Sequence, residues 1–279
     1  MGAVRGSVRI FAIAVCVVIM IGGGLWLTGQ PAQSAGQTEL LWYGQSAYKL
    51  TTPSGKVLLI DPWLTNPLNP DGEEDIANLE SVDLILLTHG HADHVGNSIE
   101  IAQQQQAKLV ASIDLSNALV VAGYPEELVT PEMQGNFGGE LTLLDGDVKV
   151  AFIPAVHSSA IEAGVNPKAY GGNPGGFLIS VKDGPSIYHT GDTDLFSDMT
   201  LVPQFGAVDV MLACIGDQYT MGPRRAAEAV KLVNPKLVIP NHYGIFTLTG
   251  TPEAFGEALN KLNLGTKLKV MQPGETVSL

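Results

Sequence analysis

Thr88-His89-Gly90-His91-Ala92-Asp93-His94 follows directly on the apolar run Val82 to Leu87. Three imidazoles and a carboxylate thus fall within six residues, at the exit of a stretch apolar enough for a strand buried on both faces. Neutral imidazole nitrogen and hard carboxylate oxygen are the mixture that suits zinc and its first-row neighbours. The spacing predicts a loop, because His89 and His91 on one helix would point apart.

The remaining imidazoles repeat the pattern. Of six His in the chain, His157 follows an expected strand over Val148 to Ile153, His189 ends another at Ile187 to His189, and His242 follows Leu237 to Pro240. Structural histidines would scatter; these lie where strand ends can converge.

Upstream, Leu40 to Tyr43, Ala47 to Thr51 and Val57 to Ile60, with a Pro53-Ser54-Gly55 turn, predict an antiparallel meander. The segment Trp63 to Asp75, rich in Pro, Asn and acid, is expected to be a loop at the mouth of the site. Asn97 is expected to cap a helix through Gln106, Leu109 to Ala111 to form a strand, and Asp114 to cap a second helix that Gly123 ends.

Downstream, Asp145-Gly146-Asp147 and Asp183-Gly184-Pro185 each separate two apolar runs and predict hairpins. No helix signal follows the glycine run Gly171 to Gly176, so a mobile substrate-side loop is expected there rather than a phosphate cradle, and specificity is expected to reside in loops such as Trp63 to Asp75 and Val165 to Gly176. The last third alternates strands at Val208 to Cys214, Leu237 to Ile239 and Leu268 to Met271 with helices opening at Pro223 and Pro252, where proline favours the first turn. Each half therefore runs from meander to β-α alternation, a weak internal duplication. Two sheets face to face with helices outside would bury both apolar faces, an α/β (α+β) arrangement.

A net charge of −13 opposes a phosphate-backbone partner, so a small-molecule substrate is expected and nucleic acid is not. Arg5 and Arg9 precede an apolar run from Ile10 to Leu27 and then small and polar residues, the order of an export signal. Residues 1–36 are expected to be a cleaved signal peptide or a retained membrane anchor through 10–27, with 37–279 as one domain in the periplasm or outside the cell. The two cysteines, Cys16 in that run and Cys214 in an apolar strand, offer no disulfide framework, and Cys214 reads as core.

From about residue 38 onward the chain resembles the metallo-β-lactamase superfamily, within its broad group of metal-dependent hydrolases similar to ascorbate-phosphate lactonases. The resemblance rests on Ile60-Asp61-Pro62, the 87–94 motif, Ala155-Val156-His157-Ser158, Tyr188-His189-Thr190-Gly191-Asp192-Thr193, Ile215-Gly216-Asp217 with Met221-Gly222-Pro223, and Pro240-Asn241-His242-Tyr243. It implies a four-layer αββα sandwich.

It also implies that His89, His91 and His157 hold one divalent metal, that Asp93, His94 and His242 hold a second, and that Asp192 bridges them. Zinc leads among the expected ions, with manganese, iron or nickel as alternatives. The chemistry implied is attack by a metal-bridging hydroxide on a small ester, lactone, amide or phosphoester, with Asp93 orienting it and handling the proton. Asp61 is expected to fix a ligand imidazole and His189 to support a ligand or be structural, while Asp217 and Tyr243 are possible substrate contacts. The alternatives are a nuclease or phosphodiesterase of the same fold and a metal-binding module without turnover. Retention of Asp192 favours lactonase-like and phosphodiesterase-like members over penicillin-opening ones.

Overall fold

Residues 1–2, 36–161 and 169–279 are described by a computed structural model. The export segment and its apolar run 10–27 lie outside the described residues, as does most of the first part of the 165–176 loop. From Ala35 to Leu279 the chain is one compact unit.

The first half holds β1 (Glu39–Gly44), β2 (Ala47–Thr51), β3 (Val57–Ile60), α1 (Gly72–Ala77), β4 (Leu84–Leu86), α2 (Ala92–Val95), α3 (Ser98–Gln105), β5 (Lys108–Ser112), α4 (Ile113–Val121) and β6 (Gln134–Gly135). The second holds β7 (Glu140–Leu143), β8 (Val148–Pro154), β9 (Ala160–Ile161), β10 (Ala169–Tyr170), β11 (Gly175–Val181) and β12 (Ser186–His189). It continues through β13 (Val210–Cys214), α5 (Pro223–Val233), β14 (Leu237–Asn241), α6 (Pro252–Leu262), β15 (Lys267–Leu268) and β16 (Thr276–Ser278).

Fourteen of these strands build two seven-stranded sheets, ordered β16-β1-β2-β3-β4-β5-β6 and β7-β8-β11-β12-β13-β14-β15, and β9 pairs with β10 in a two-stranded sheet. In each, an antiparallel half passes into a parallel half, at β3/β4 in one and β12/β13 in the other. Alternation along the strands then sets the layers. Leu84 and Leu86 of β4 meet Val210 and Leu212 of β13 in the core between the sheets. Ile85 and Leu87 face outward onto Ile101 of α3 and Leu115 and Leu119 of α4. Met211 and Ala213 face outward onto Ala226 and Val230 of α5 and Phe255 and Leu259 of α6. The result is the αββα sandwich, and each large side chain buried in it stabilises it by about 1.5–3 kcal/mol.

The duplication extends to the joints. Asp83 accepts the Val57 N–H at 2.8 Å and the Lys56 ammonium at 3.1 Å; Asp209 accepts the Ser186 N–H at 2.9 Å and the Lys236 ammonium at 2.6 Å. At the other strand ends, the Thr88 N–H donates to Asp61 and the Cys214 N–H to Thr190. One construction thus opens into the His-rich motif in the first half and into Cys214 in the second.

Several expectations are corrected. Ala92–Val95 is a helical turn, so Asp93 and His94 sit on α2 and only His89 and His91 lie in the preceding loop. The 63–75 loop ends in α1, whose first turn carries Glu73, Glu74 and Asp75, a placement that complements the helix dipole. The cap position of α4 is Ser112 rather than Asp114, which lies in the first turn, and the Asn97 side chain caps nothing but accepts the Thr65 N–H and hydroxyl. The glycine run is packed rather than mobile: Gly171, Gly172, Pro174, Gly175 and Gly176 are buried, and the last two begin β11. There the Gly175 N–H donates to the Thr88 carbonyl at 3.1 Å, directly beneath the His-rich motif. The strand expected over Leu268 to Met271 is instead Lys267–Leu268, while Met271 turns into the core between the sheets.

Candidate metal centre

The β4 exit delivers the motif, and its first residue anchors it. Thr88 donates its N–H to Asp61 Oδ1 at 2.8 Å and its hydroxyl to Asp61 Oδ2 at 2.7 Å. The same Asp61 Oδ2 lies 2.7 Å from His94 Nδ1, and neither side chain reaches solvent. With Nδ1–H donated to a carboxylate, the neutral His94 ring would present Nε2 to the site as an acceptor. Asp61 thus touches a candidate ligand from behind.

Between His89 and His91 the chain passes close under the 159–161 segment. A Cβ on Gly90 would lie 3.1 Å from the Ala160 carbonyl, and the Gly90 N–H donates to Ser159 Oγ at 3.0 Å. The Asp192 loop is just as tight. Gly191 has φ +59, and a Cβ there would lie 2.3 Å from the Gly175 carbonyl oxygen, so only glycine fits. The loop carrying His157 is tied to it through Val156 N–H to Thr193 Oγ1 at 3.0 Å and Asp194 N–H to the Val156 carbonyl at 3.0 Å.

These loops converge. His89, His91 and His157 bring one nitrogen each to a common point, as do Asp93, His94 and His242 with one carboxylate oxygen and two nitrogens; within each set the atoms lie within 4.8 Å of one another. Asp192 stands between the sets. Its Oδ2 is 2.9 Å from His242 Nε2 and 3.6 Å from His157 Nε2, and its Oδ1 is 3.3 Å from His94 Nε2.

The donor chemistry fits cations. His94 Nε2, His242 Nε2 and Asp192 Oδ1 are buried, close to one another and without hydrogen-bond partners. Buried polar atoms left in that arrangement cost free energy unless something else satisfies them, and nitrogen and carboxylate lone pairs aimed at one point suit a divalent transition ion.

The charges of the chain point the same way. Burial opposes ionisation of Asp192 and Asp93, but the neighbouring imidazoles outweigh it and hold both carboxyls below their ordinary range. Burial also opposes protonation of His242, yet Asp192 and Asp93 push it up to about 9, and Asp192 and Asp61 raise His94. Burial, reinforced by His94, holds His89 well below the ordinary histidine value. Positive charge is thus drawn to the His94, His242 and Asp93 side, while His89 stays a neutral donor.

His189, Asp217 and Tyr243 are each engaged by neighbouring backbone or side chains. His189 accepts the Gly191 N–H on Nδ1 at 3.0 Å and turns Nε2 to the Ser46 carbonyl at 3.3 Å, so both nitrogens are engaged with backbone. It supports the turn before Asp192 and belongs to neither donor set. The Asp217 carboxylate folds back toward Gly222 and its own Gln218 N–H at 2.9 Å. The Tyr243 ring packs on Trp42 at 5.6 Å between centroids.

Sequence reasoning missed Gln45 and Ser159. Gln45, in the turn between β1 and β2, is fully buried and donates its side-chain N–H to Asp93 Oδ2 at 3.1 Å. The available signal was a polar Gly-Gln-Ser interruption between two apolar strands, where the common hairpin residues are Asn, Asp and Gly.

Among known proteins, residues 56–243 match the Beta-lactamase superfamily domain. The chain is 58% identical over 253 residues to a UPF0173 metal-dependent hydrolase of Thermodesulfovibrio yellowstonii, covering 89% of this chain and 95% of the relative. A UPF0173 metal-dependent hydrolase of Myxococcus xanthus is 39% identical over 285 residues, with 97% and 98% covered. The solved structure of Igni18, a metallo hydrolase of the archaeon Ignicoccus hospitalis, is similar with a TM-score of 0.74 at 34% identity, over 87% of this chain and 98% of that one.

Proposed function

The chain belongs to the metallo-β-lactamase superfamily and its metal-dependent hydrolases, and from that premise we propose that it is a binuclear hydrolase of a small ester, lactone, amide or phosphoester. The observation that carries the proposal is the position of Asp192, one carboxylate within 3.6 Å of ligand nitrogens from both donor sets. His89, His91 and His157 would hold one ion, Asp93, His94 and His242 the other, and Asp192 both. When bound, a pair of divalent cations, zinc first among them, supplies an acidified water and polarises the oxygen of the attacked centre.

The chain's own residues do the rest. The Asp93 side chain is 23% exposed and that of Asp192 is 4%, so Asp93 is the carboxylate an entering substrate meets. Kept ionised by His94 and His242, it is available as an acceptor to orient the attacking water, and it is the first candidate to handle the proton released. Asp61 and Thr88 keep His94 turned into the site while this happens. The net charge of −13 supports a small substrate over a nucleic acid.

The test is elemental analysis of protein purified without added metal, coupled to a screen of ester, lactone, amide, phosphodiester and nucleic-acid substrates. Two metal equivalents are expected, with hydrolysis that stops on chelation and returns with zinc or manganese. Turnover at the original rate by verified metal-free protein would refute the proposal.

A further inference from the structure

We infer that Gln45 is a positioning residue for Asp93, its side-chain amide holding the carboxylate in the orientation with which Asp93 joins His94 and His242. The inference rests on the two-ion reading above.

The turn is built at a cost that its path does not require. Gly44 has φ +101 and Gln45 φ +51, two successive left-handed residues in a tight hairpin. Such a pair ordinarily takes Gly, Asn or Asp. A longer side chain in the left-handed region is strained by its Cβ, and this one is also completely buried. Strain of that kind persists where the surroundings over-determine it, which is most often at a functional site.

The main chain of residue 45 is in demand, but any residue would serve it. Its carbonyl accepts from Trp42 Nε1 at 3.1 Å and from the His242 N–H at 3.1 Å. What only this side chain supplies is the 3.1 Å bond from Nε2 to Asp93 Oδ2, between residues 48 apart in sequence. An ionised carboxylate accepts and does not donate, so the amide nitrogen must be the atom facing it. Gln45 Oε1 is buried without a hydrogen-bond partner, so the polar anchorage of the side chain runs through Asp93.

The choice of amide suits the task. Asp93 Oδ2 also lies 3.4 Å from His242 Nε2 and 3.8 Å from His94 Nε2. An N–H on one lone pair of that oxygen restrains the carboxylate's rotation about its own axis and leaves the remaining lone pairs for the His94 and His242 side. A Lys or Arg donor would do the same, but its positive charge would oppose a cation there, whereas the amide is neutral.

The test is zinc titration of the metal-free full-length protein in competition with a chromophoric chelator. Gln45→Met keeps length and removes the donor; Gln45→Gly relieves the left-handed backbone and removes the whole side chain. In both, one zinc equivalent should bind 10- to 100-fold more weakly while the other stays within threefold of the parent. Metal-free Gln45→Gly should melt no lower than the parent. Unchanged affinity for both equivalents in Gln45→Met would overturn the inference, as would equal weakening of both accompanied by a lower melting temperature. If the parent binds a single equivalent, the two-ion reading falls, and the role of Gln45 is then decided by whether that equivalent weakens in Gln45→Met.

Discussion

Asp61 and His94 meet at 2.7 Å, carboxylate oxygen to ring nitrogen, with both side chains sealed from solvent. The pair fixes which imidazole nitrogen faces the site, and a carboxylate behind a ligating histidine also raises its basicity. Asp61→Asn keeps the shape but weakens the acceptor and removes the charge. It is expected to lower metal affinity by about 10- to 100-fold, read by chelator competition, and also to lower the melting temperature, because both Asp61 oxygens accept from buried donors and the amide NH2 must then face one of them. Affinity equal to the parent would show that the carboxylate charge does not act through His94.

Asp192 and His242 separate the two donor sets experimentally. A carboxylate that touches both sets should disturb both when removed, whereas His242 belongs to one. Asp192→Ala should therefore lose metal from both positions and abolish hydrolysis, and His242→Ala should first empty a single position at limiting zinc. Elemental analysis per protein molecule decides between these outcomes. Equal loss in the two variants would contradict the bridging role.

Away from the site, Asp209 offers a pH-dependent test of the strand joint. Partial burial works against its ionisation, but the Lys236 ammonium and the Ser186 N–H outweigh this and hold its carboxyl below the ordinary value. A depressed folded-state pKa adds stability above the unfolded value, near 3.9, and that stability disappears as pH falls through the folded value. Asp209→Asn should destabilise the protein by about 1–2 kcal/mol at pH 7. The gap to the parent, measured by denaturant unfolding, should close as the pH drops below about 4. A gap that stays constant to pH 3 would exclude the ionic contribution.

The order of basic, apolar and small residues over the first 36 positions supports export. A reporter fused after Leu279 is expected outside the cytoplasm, with the basic end left inside if the segment is retained. Reporter signal confined to the cytosol, together with an intact and soluble N-terminus, would refute export.

Much of this molecule was legible in the chain itself. The continuous apolar run before Thr88, the short apolar runs separated by turn residues elsewhere and the Pro residues at 223 and 252 located most strands and helices, because burial and backbone geometry act locally. The histidines at strand exits marked a metal site for the same reason: strand ends on one edge of a sandwich are where loops gather. Helix α1 and the Ser112 cap were misread because acidic and polar residues serve loops, caps and first turns alike. The packed state of Gly171 to Gly176 was hidden because glycine permits either a free loop or a very close approach, and only the neighbours decide which.

By itself, then, the sequence located most strands and helices, the two-sheet layering and the histidines at strand exits, and its resemblance to a known family supplied the rest of the expected ligand set, Asp192 included. Only the tertiary structure decided the contacts themselves: which oxygen of Asp192 approaches which imidazole, His94 as the ring that Asp61 meets, both nitrogens of His189 spent on backbone, and Gln45 against Asp93. These contacts join residues from different loops, and their distances are set by sheet register and by how closely glycine-lined segments pack. Neither quantity is encoded in any one stretch of chain, since both arise from the summed packing of two sheets whose strands come from distant parts of the sequence.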